Sequence, residues 1–369
     1  MPDFIKQPPV YEVGNVAEYL GYMRQYHLEA CISRGEDQAY PFLNAAAFRR
    51  NSSLEIQKMV GAFEQHIGNS LTEMQRKHFL AFSQHHGLPT NLLDFTFSPL
   101  ISLYFACGGD AQTDGYVYFI KKDRLIDISE HLELINSVFF PAFLVASKDL
   151  DELFNGITHV FIRNESYIAE FLAYIDRALA GMPGGEPIHA EISKILQMGG
   201  NWSIDRLDRL IAAMKKRLRS IRGIKTEMPL DGVGSYGCLF VQMLLLSILV
   251  ARHDGPFGVP FYFTYEPANI TNRISNQSSI FIYQLYGINE VRQEIHPDFI
   301  LRITNKEEIL ADLDCMGINE QFVFNDYDHI AAYIKKKYLK RSDQREQIHT
   351  NLKRLNQAYL RGTLDQESL

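Results

Sequence analysis

The chain has 369 residues, 46% of them hydrophobic and 22% charged, with 37 Lys and Arg against 44 Asp and Glu for a formal net charge of -7. This composition excludes a disordered chain, and the acidic balance excludes a protein that coats nucleic acid through bulk charge, so any such contact must come from a local basic patch. The length fits one large domain with an insertion, or two domains. Four cysteines, Cys31, Cys107, Cys238 and Cys315, are far apart, form no CxxC pair and stand among apolar neighbours, the pattern of small core residues in a reduced, cytoplasmic protein. The opening MPDFIKQPPV lacks a secretory pattern. The longest apolar run, Cys238 to Ala251, is shorter than the roughly 20 residues that cross a bilayer, so it reads as a buried helix and no membrane contact is expected.

In chain order, residues 14–25 suggest a short helix, and alternation in LEACISRG predicts a strand that ends at Arg34 and a glycine turn. Residues 53–69 form an amphipathic helix with Leu54, Met59, Val60 and Phe63 as its apolar stripe. A second helix, with Ser70 and Glu73 spaced as a capping box, carries Met74, Phe79 and Phe82 and stops near Gly87 and Pro89. TNLLDFTF is extended, Ser98 and Pro99 start a helix that runs to about Cys107, and GYVYFIKK is a strand.

From 127 to 235 the 3.6-residue period dominates, which predicts a helical insertion. Its clearest helix, 203–222, sets an apolar stripe against seven Arg and Lys residues. Strands follow in VPFYFTYEP, SSIFIYQLYG and DFILRIT, then helices at 306–314 and 326–340, and a polar tail, 342–369, that is helical or frayed. The expected architecture is an α+β core made of residues 1–126 and 236–341, a mixed or antiparallel sheet with flanking helices, around a large helical insertion at 127–235.

Three polar stretches flank apolar elements in this layout. Arg34, closing a strand next to Gly35, suits a phosphate, with a surface ion pair to Glu36 or Asp37 as the alternative. Asp94, between Leu93 and Phe95, reads as a buried carboxylate that either caps a neighbouring turn or faces a cleft with Thr96. His85 and His86 have no third ligand at zinc spacing, so one of them is expected to tether the helix end to the next turn. The basic helix 203–222 either meets phosphates or is a solvated face. Gly-rich phosphate loops and nucleophile elbows are absent from the sequence.

Residues 83–106 resemble the signature of the FRG domain family through Gln84, His85, Gly87, Pro89, Thr90, Leu92, Leu93, Asp94, Thr96, Ser98, Pro99, Leu103, Phe105 and Ala106. Arg34-Gly35 and Phe48-Arg49 resemble its opening motif, with Ser33 in place of the naming Phe, and Arg273-Ile274, Gln277 and Phe281 resemble a later one. The resemblance covers about 1–126 and 236–340. A fainter resemblance links Arg34 and DFTFSPLISLYFA to ADP-ribosyltransferases, with Asp94-Phe95-Thr96 where a hydroxyl triplet would lie.

That resemblance implies an ADP-ribosyltransferase-like core that uses NAD as a substrate, in a toxin or anti-phage defence effector. Arg34 and Arg49 would hold phosphate or ribose, Gly35 would offer its backbone to the carboxamide, Tyr104 would stack on the ring, and Thr90, Thr96 and Asp94 would shape the pocket. Such transferases usually carry a Glu on a late strand, and the matching position here is Gln277, which is neutral and orients without serving as a base. The carboxylate then comes from Asp94 or Glu266, or the chain is a non-enzymatic nucleotide- or nucleic-acid-binding module. A metal-dependent nuclease is a third possibility. The acceptor would be RNA or protein, with the basic helix favouring RNA, and a toxin would need a neutralising partner protein.

Overall fold

The computed structural model describes residues 8–40, 42–49, 56–129, 261–267, 272–285 and 292–360. The expected insertion from residue 130 onward, the apolar helix at 238–251 and the basic helix at 203–222 lie outside these residues.

The described residues form a mixed α+β structure. Eight strands make one sheet: β1 Val10–Val13, β2 Cys31–Glu36, β3 Leu92–Thr96, β4 Gly115–Lys121, β5 Leu125–Asp127, β6 Tyr262–Tyr265, β7 Ser279–Tyr283 and β8 Phe299–Ile303. Their spatial order is β1-β8-β4-β2-β3-β7-β6-β5. The two outermost pairs, β1 with β8 and β5 with β6, are parallel, and the interior pairs are antiparallel. The helices are α1 Val16–Gln25, α2 Ile56–Ile67, α3 Glu73–Lys77, α4 Phe79–His85, α5 Pro99–Ala106, α6 Asn272–Asn276, α7 Lys306–Cys315, α8 Glu320–Phe324 and α9 Tyr327–Leu360.

Period-two alternation gives the sheet two apolar faces. On one, Val117, Phe119, Leu301 and Ile303 pack with Tyr19 of α1, Leu103 and Ala106 of α5, and Ile309 and Leu313 of α7. On the other, Ile32, Leu93, Phe95, Tyr118, Ile120, Tyr262, Ile280 and Ile282 form a second cluster with Leu43 and Ala45. A third cluster joins α2 to α4 through Ile56, Val60, Phe79 and Phe82.

Several sequence expectations need correction. The second helix is two helices, parted at His78, whose buried ring bonds the Tyr265 hydroxyl at 2.6 Å. Its capping box is Thr72 with Gln75, because Ser70 sits in a preceding 3-10 turn and donates to the Ile67 carbonyl. Ser98 holds the N-cap position of α5 without a side-chain cap bond, and its own N–H donates to Thr96 Oγ1. Cys31 and Cys107 are buried and burial pushes both thiols up to about 12, whereas Cys315 is exposed. The helix expected at 326–340 extends as α9 to Leu360, so the polar segment is helical that far, one of its two expected states.

Two glycines set how closely α5 approaches the sheet. A Cβ on Gly35 of β2 would strike the Ser102 carbonyl oxygen, and one on Gly115 of β4 would strike that of Ala106. At this short separation Ser33 Oγ and Ser102 Oγ meet at 2.7 Å in the interior, which gives the buried Ser33 hydroxyl a polar partner. Gly35 therefore serves helix-to-sheet packing. Gly35→Ala should lower the unfolding free energy by about 1–3 kcal/mol, since the new methyl meets backbone that cannot rotate aside. The shift of the urea midpoint at unchanged slope measures it.

Candidate functional site

β2 and β3 share one registered pair, Ser33 with Thr96, and then part. Beyond it β2 keeps its ladder to β4 and β3 keeps its ladder to β7, so the sheet has an interior opening with backbone polar groups on both sides. Arg34 bridges it. Its Nε donates to Glu36 Oε1 at 2.7 Å, and Nη1 donates to the Asp94 carbonyl at 2.7 Å while standing 3.6 Å from Asp94 Oδ2.

The side chains of Arg34 and Glu36 are each 10% exposed. The ion pair weighed as a surface contact is thus formed, but within the wall of a cleft. Arg49 reaches the same carboxylate at 3.5 Å, donates to the Asn44 carbonyl and lies over the Tyr40 ring. The loop that presents Arg49 is pinned by buried amides: Gln284 accepts from the Ala45 N–H and donates to Asn44 Oδ1, and Asn91 donates to the Gln284 carbonyl.

Two adjoining cavities open at this place. The first, about 360 Å³, is lined by Arg34, Gly35, Glu36, Asp94, Thr96 and Gln277, with Phe95 and Phe105 as its aromatic walls. The second, about 330 Å³, includes Arg49, Gln84, His85, Leu88, Pro89 and Phe281. Arg34, Asp94, Arg273, Gln277 and Ser279 line both. Each volume falls in the range of small-molecule sites, roughly 300–1,000 Å³.

Of the predicted residues, Arg34, Gly35, Asp94, Thr96 and Gln277 meet in the first cavity and Arg49 borders the second. Asp94 is not buried: its side chain is 62% exposed, caps no helix, and presents its carboxylate to the cleft. Thr96 is buried, donates to the Gln277 carbonyl at 2.6 Å and so ties β3 to the end of α6. Gln277 Nε2 donates to the Val323 carbonyl at 3.1 Å, which commits the amide to holding α8.

Thr90 lines neither cavity. It is fully buried, its hydroxyl donating to Gln84 Oε1 and accepting from the Leu92 N–H. Tyr104 lies elsewhere, in a separate cavity of about 620 Å³ with Asp314, Tyr333 and Lys337. Glu266 lies at neither lobe. Its backbone N–H donates to Ser129 Oγ, and burial, aided by Asp127, raises its carboxyl.

The tether between α4 and β3 is Gln84, not a histidine. Its Nε2 donates to Asp94 Oδ1 at 3.0 Å and its Oε1 accepts from Thr90. His86 packs against Phe82, with ring centroids 4.4 Å apart, while His85 lines the second cavity, where no described residue hydrogen-bonds its ring. Burial, next to His86 and Arg273, holds the His85 imidazole below its ordinary range. Among the described residues, no three His, Cys, Asp or Glu side chains converge as a metal site, and no helix is long and apolar enough to cross a membrane.

Two residues in the walls were not among the site residues that the sequence suggests. Glu36 is the buried anion between Arg34 and Arg49, and its i+2 spacing from Arg34 on a strand was the available signal. Arg273 lines both cavities and lies over the Phe324 ring, with no carboxylate partner among the described residues.

Residues 19–115 match the family model of the FRG domain, a span from α1 to the start of β4 that contains Arg34, Arg49, His85 and Asp94 but not the segment around Arg273 and Gln277. No curated protein and no solved structure matches the chain.

Removing Glu36 leaves a buried guanidinium without its anion. Glu36→Ala should destabilise the fold by about 3 kcal/mol, read from chemical denaturation, and the double variant Glu36→Ala/Arg34→Met should recover part of that loss.

Proposed function

We propose that this FRG-domain protein is an NAD-dependent ADP-ribosyltransferase, acting on a macromolecule as a toxin or anti-phage effector would, and that its eight-stranded sheet is an ADP-ribosyltransferase-like core. The observation that carries this reading is the meeting of Arg34, of Asp94 with Thr96, and of Gln277, from three distant segments, around one cavity. The cavity offers what cleavage of the nicotinamide glycosidic bond needs. Two guanidiniums, Arg34 and Arg273, flank both lobes and suit a pyrophosphate spanning them. Phe95 and Phe105 supply apolar walls for a planar ring, the role expected of Tyr104.

As the bond to nicotinamide breaks, positive charge develops on the ribose, and a fixed anion lowers that barrier. Gln277 carries no charge and its amide already holds Val323, while Glu36 is neutralised by two arginines. Asp94 remains as the carboxylate that faces both lobes, held in orientation by Gln84. In this scheme Asp94 stabilises the ribosyl cation, Arg34 and Arg273 hold the phosphates, and Thr96 with Gln277 fixes the floor.

The neutral amide at 277 favours one competing reading, a module that binds the nucleotide without cleaving it. Nicotinamide release from NAD by the purified full chain separates the two. Arg34→Ala should abolish turnover, and Asp94→Asn, which keeps the contact with Gln84, should lower kcat by about 10²-fold with NAD affinity little changed. NAD binding without turnover by the wild type would make the module the function.

A further inference from the structure

The second lobe differs from the first in its charges. Both share Arg34, Arg273 and Asp94, but the first adds the carboxylates Glu36 and Asp37, whereas the second adds Arg49 and His85. The first lobe thus balances its cations with carboxylates, and the second is the basic one. Leu88, Pro89, Ile274 and Phe281 give it apolar wall beside the polar Gln84, Gln277 and Ser279, and apolar walls with cations interspersed suit bases and phosphates of a single strand.

His85 is presented to that lobe by a rigid end. It closes α4, and the chain then reverses through Gly87 at φ +89, where a side chain would be strained, with the Gly87 N–H donating to the Gln84 carbonyl and that of Leu88 to Ser83. The adjacent Gln84 is spent on Asp94 and Thr90. The His85 ring is exposed at the cavity wall and is hydrogen-bonded to none of the described residues, so none of them occupies its nitrogens.

Resting on the NAD reading above, we propose that the second lobe seats the acceptor, a single-stranded polyribonucleotide, and that His85 takes the proton from its attacking ribose hydroxyl. The step balances: the acceptor oxygen bonds C1′ of the NAD ribose as the C1′–N bond breaks, nicotinamide leaves neutral with the bonding electron pair, and the hydroxyl proton passes to the imidazole. A base must be unprotonated to accept it. Burial, His86 on the same helix and Arg273 of α6 all lower the His85 imidazole below 6.5, against the opposing pull of Asp326 before α9. Arg34, Arg49 and Asp94 are the other charges in the lobe. The neutral form therefore prevails at neutral pH and is lost as pH falls through a value below 6.5.

The test uses the full chain, NAD labelled in its adenylate half, and a 5′-phosphorylated oligoribonucleotide, with a bulk protein acceptor in a parallel reaction. For the wild type, labelled RNA is expected, with a rate that falls on acidification below pH 6.5. His85→Gln should bind NAD within about 2-fold of wild type, lose 10²–10⁴-fold in RNA labelling, and show no inflection in its residual rate. RNA labelling by His85→Gln at the wild-type rate, an unchanged pH inflection in that variant, or label on protein alone would overturn the inference while leaving the NAD reading intact. A wild type that releases no nicotinamide would overturn both. Arg49→Ala supplies a second variant away from the α4 end and is expected to raise the KM for the oligonucleotide with little change in kcat.

Discussion

The site depends on one interruption in an otherwise continuous sheet. β2 and β3 pair at Ser33 and Thr96 and then separate, and Arg34 answers the resulting demand for hydrogen bonds by donating to the Asp94 carbonyl from the neighbouring strand. A buried guanidinium without an anion would cost several kcal/mol, and Glu36, two residues along the same face, supplies that anion. The interaction that closes the sheet on itself is therefore also the one that places a cation and two carboxylates at an opening.

What surrounds the opening keeps it from closing or spreading. On one side Gly35 and Gly115 let α5 lie so near the sheet that its backbone would collide with any side chain there, and Tyr19 and Ser102 both donate to the Pro99 carbonyl at its start. On the other side, Gln84, Thr90 and Asp94 form one hydrogen-bonded series, and the Asn44 and Gln284 amides, with the Gln293 carbonyl accepting from Gln284, lock the loop before Arg49. Lys306, 2% exposed, donates to the carbonyls of Asp37, Gly108 and Asp110 and holds the rim. Buried polar groups satisfied in this way favour one arrangement over its neighbours, which suits a cleft whose chemistry depends on where charges sit.

The two lobes share Arg34, Arg273 and Asp94 at their junction. A ligand that reaches across both would thus meet cations and a carboxylate midway along its length, with aromatic walls at one end and a histidine at the other. That sequence of environments is what allows the proposed division between a nucleotide lobe and an acceptor lobe.

The strands with alternating residues, the Ser98-Pro99 helix start and the clustering of polar groups in residues 83–96 were legible in the sequence, because each is a local pattern of side-chain types along a few residues. The sequence alone thus determined the mixed α and β composition, the FRG signature and five residues of the first lobe, Arg34, Gly35, Asp94, Thr96 and Gln277. Only the tertiary structure decided how they act. Asp94 faces the cleft, not the core, because its neighbours Leu93 and Phe95 take the packed face of β3; Gln84 is the tether, and His85 is hydrogen-bonded to none of the described residues, because the helix ends where it does; and Tyr104 points to another cavity because α5 turns that face away from the opening. Burial, partner and direction depend on groups brought from far along the chain, and no spacing within one segment encodes them.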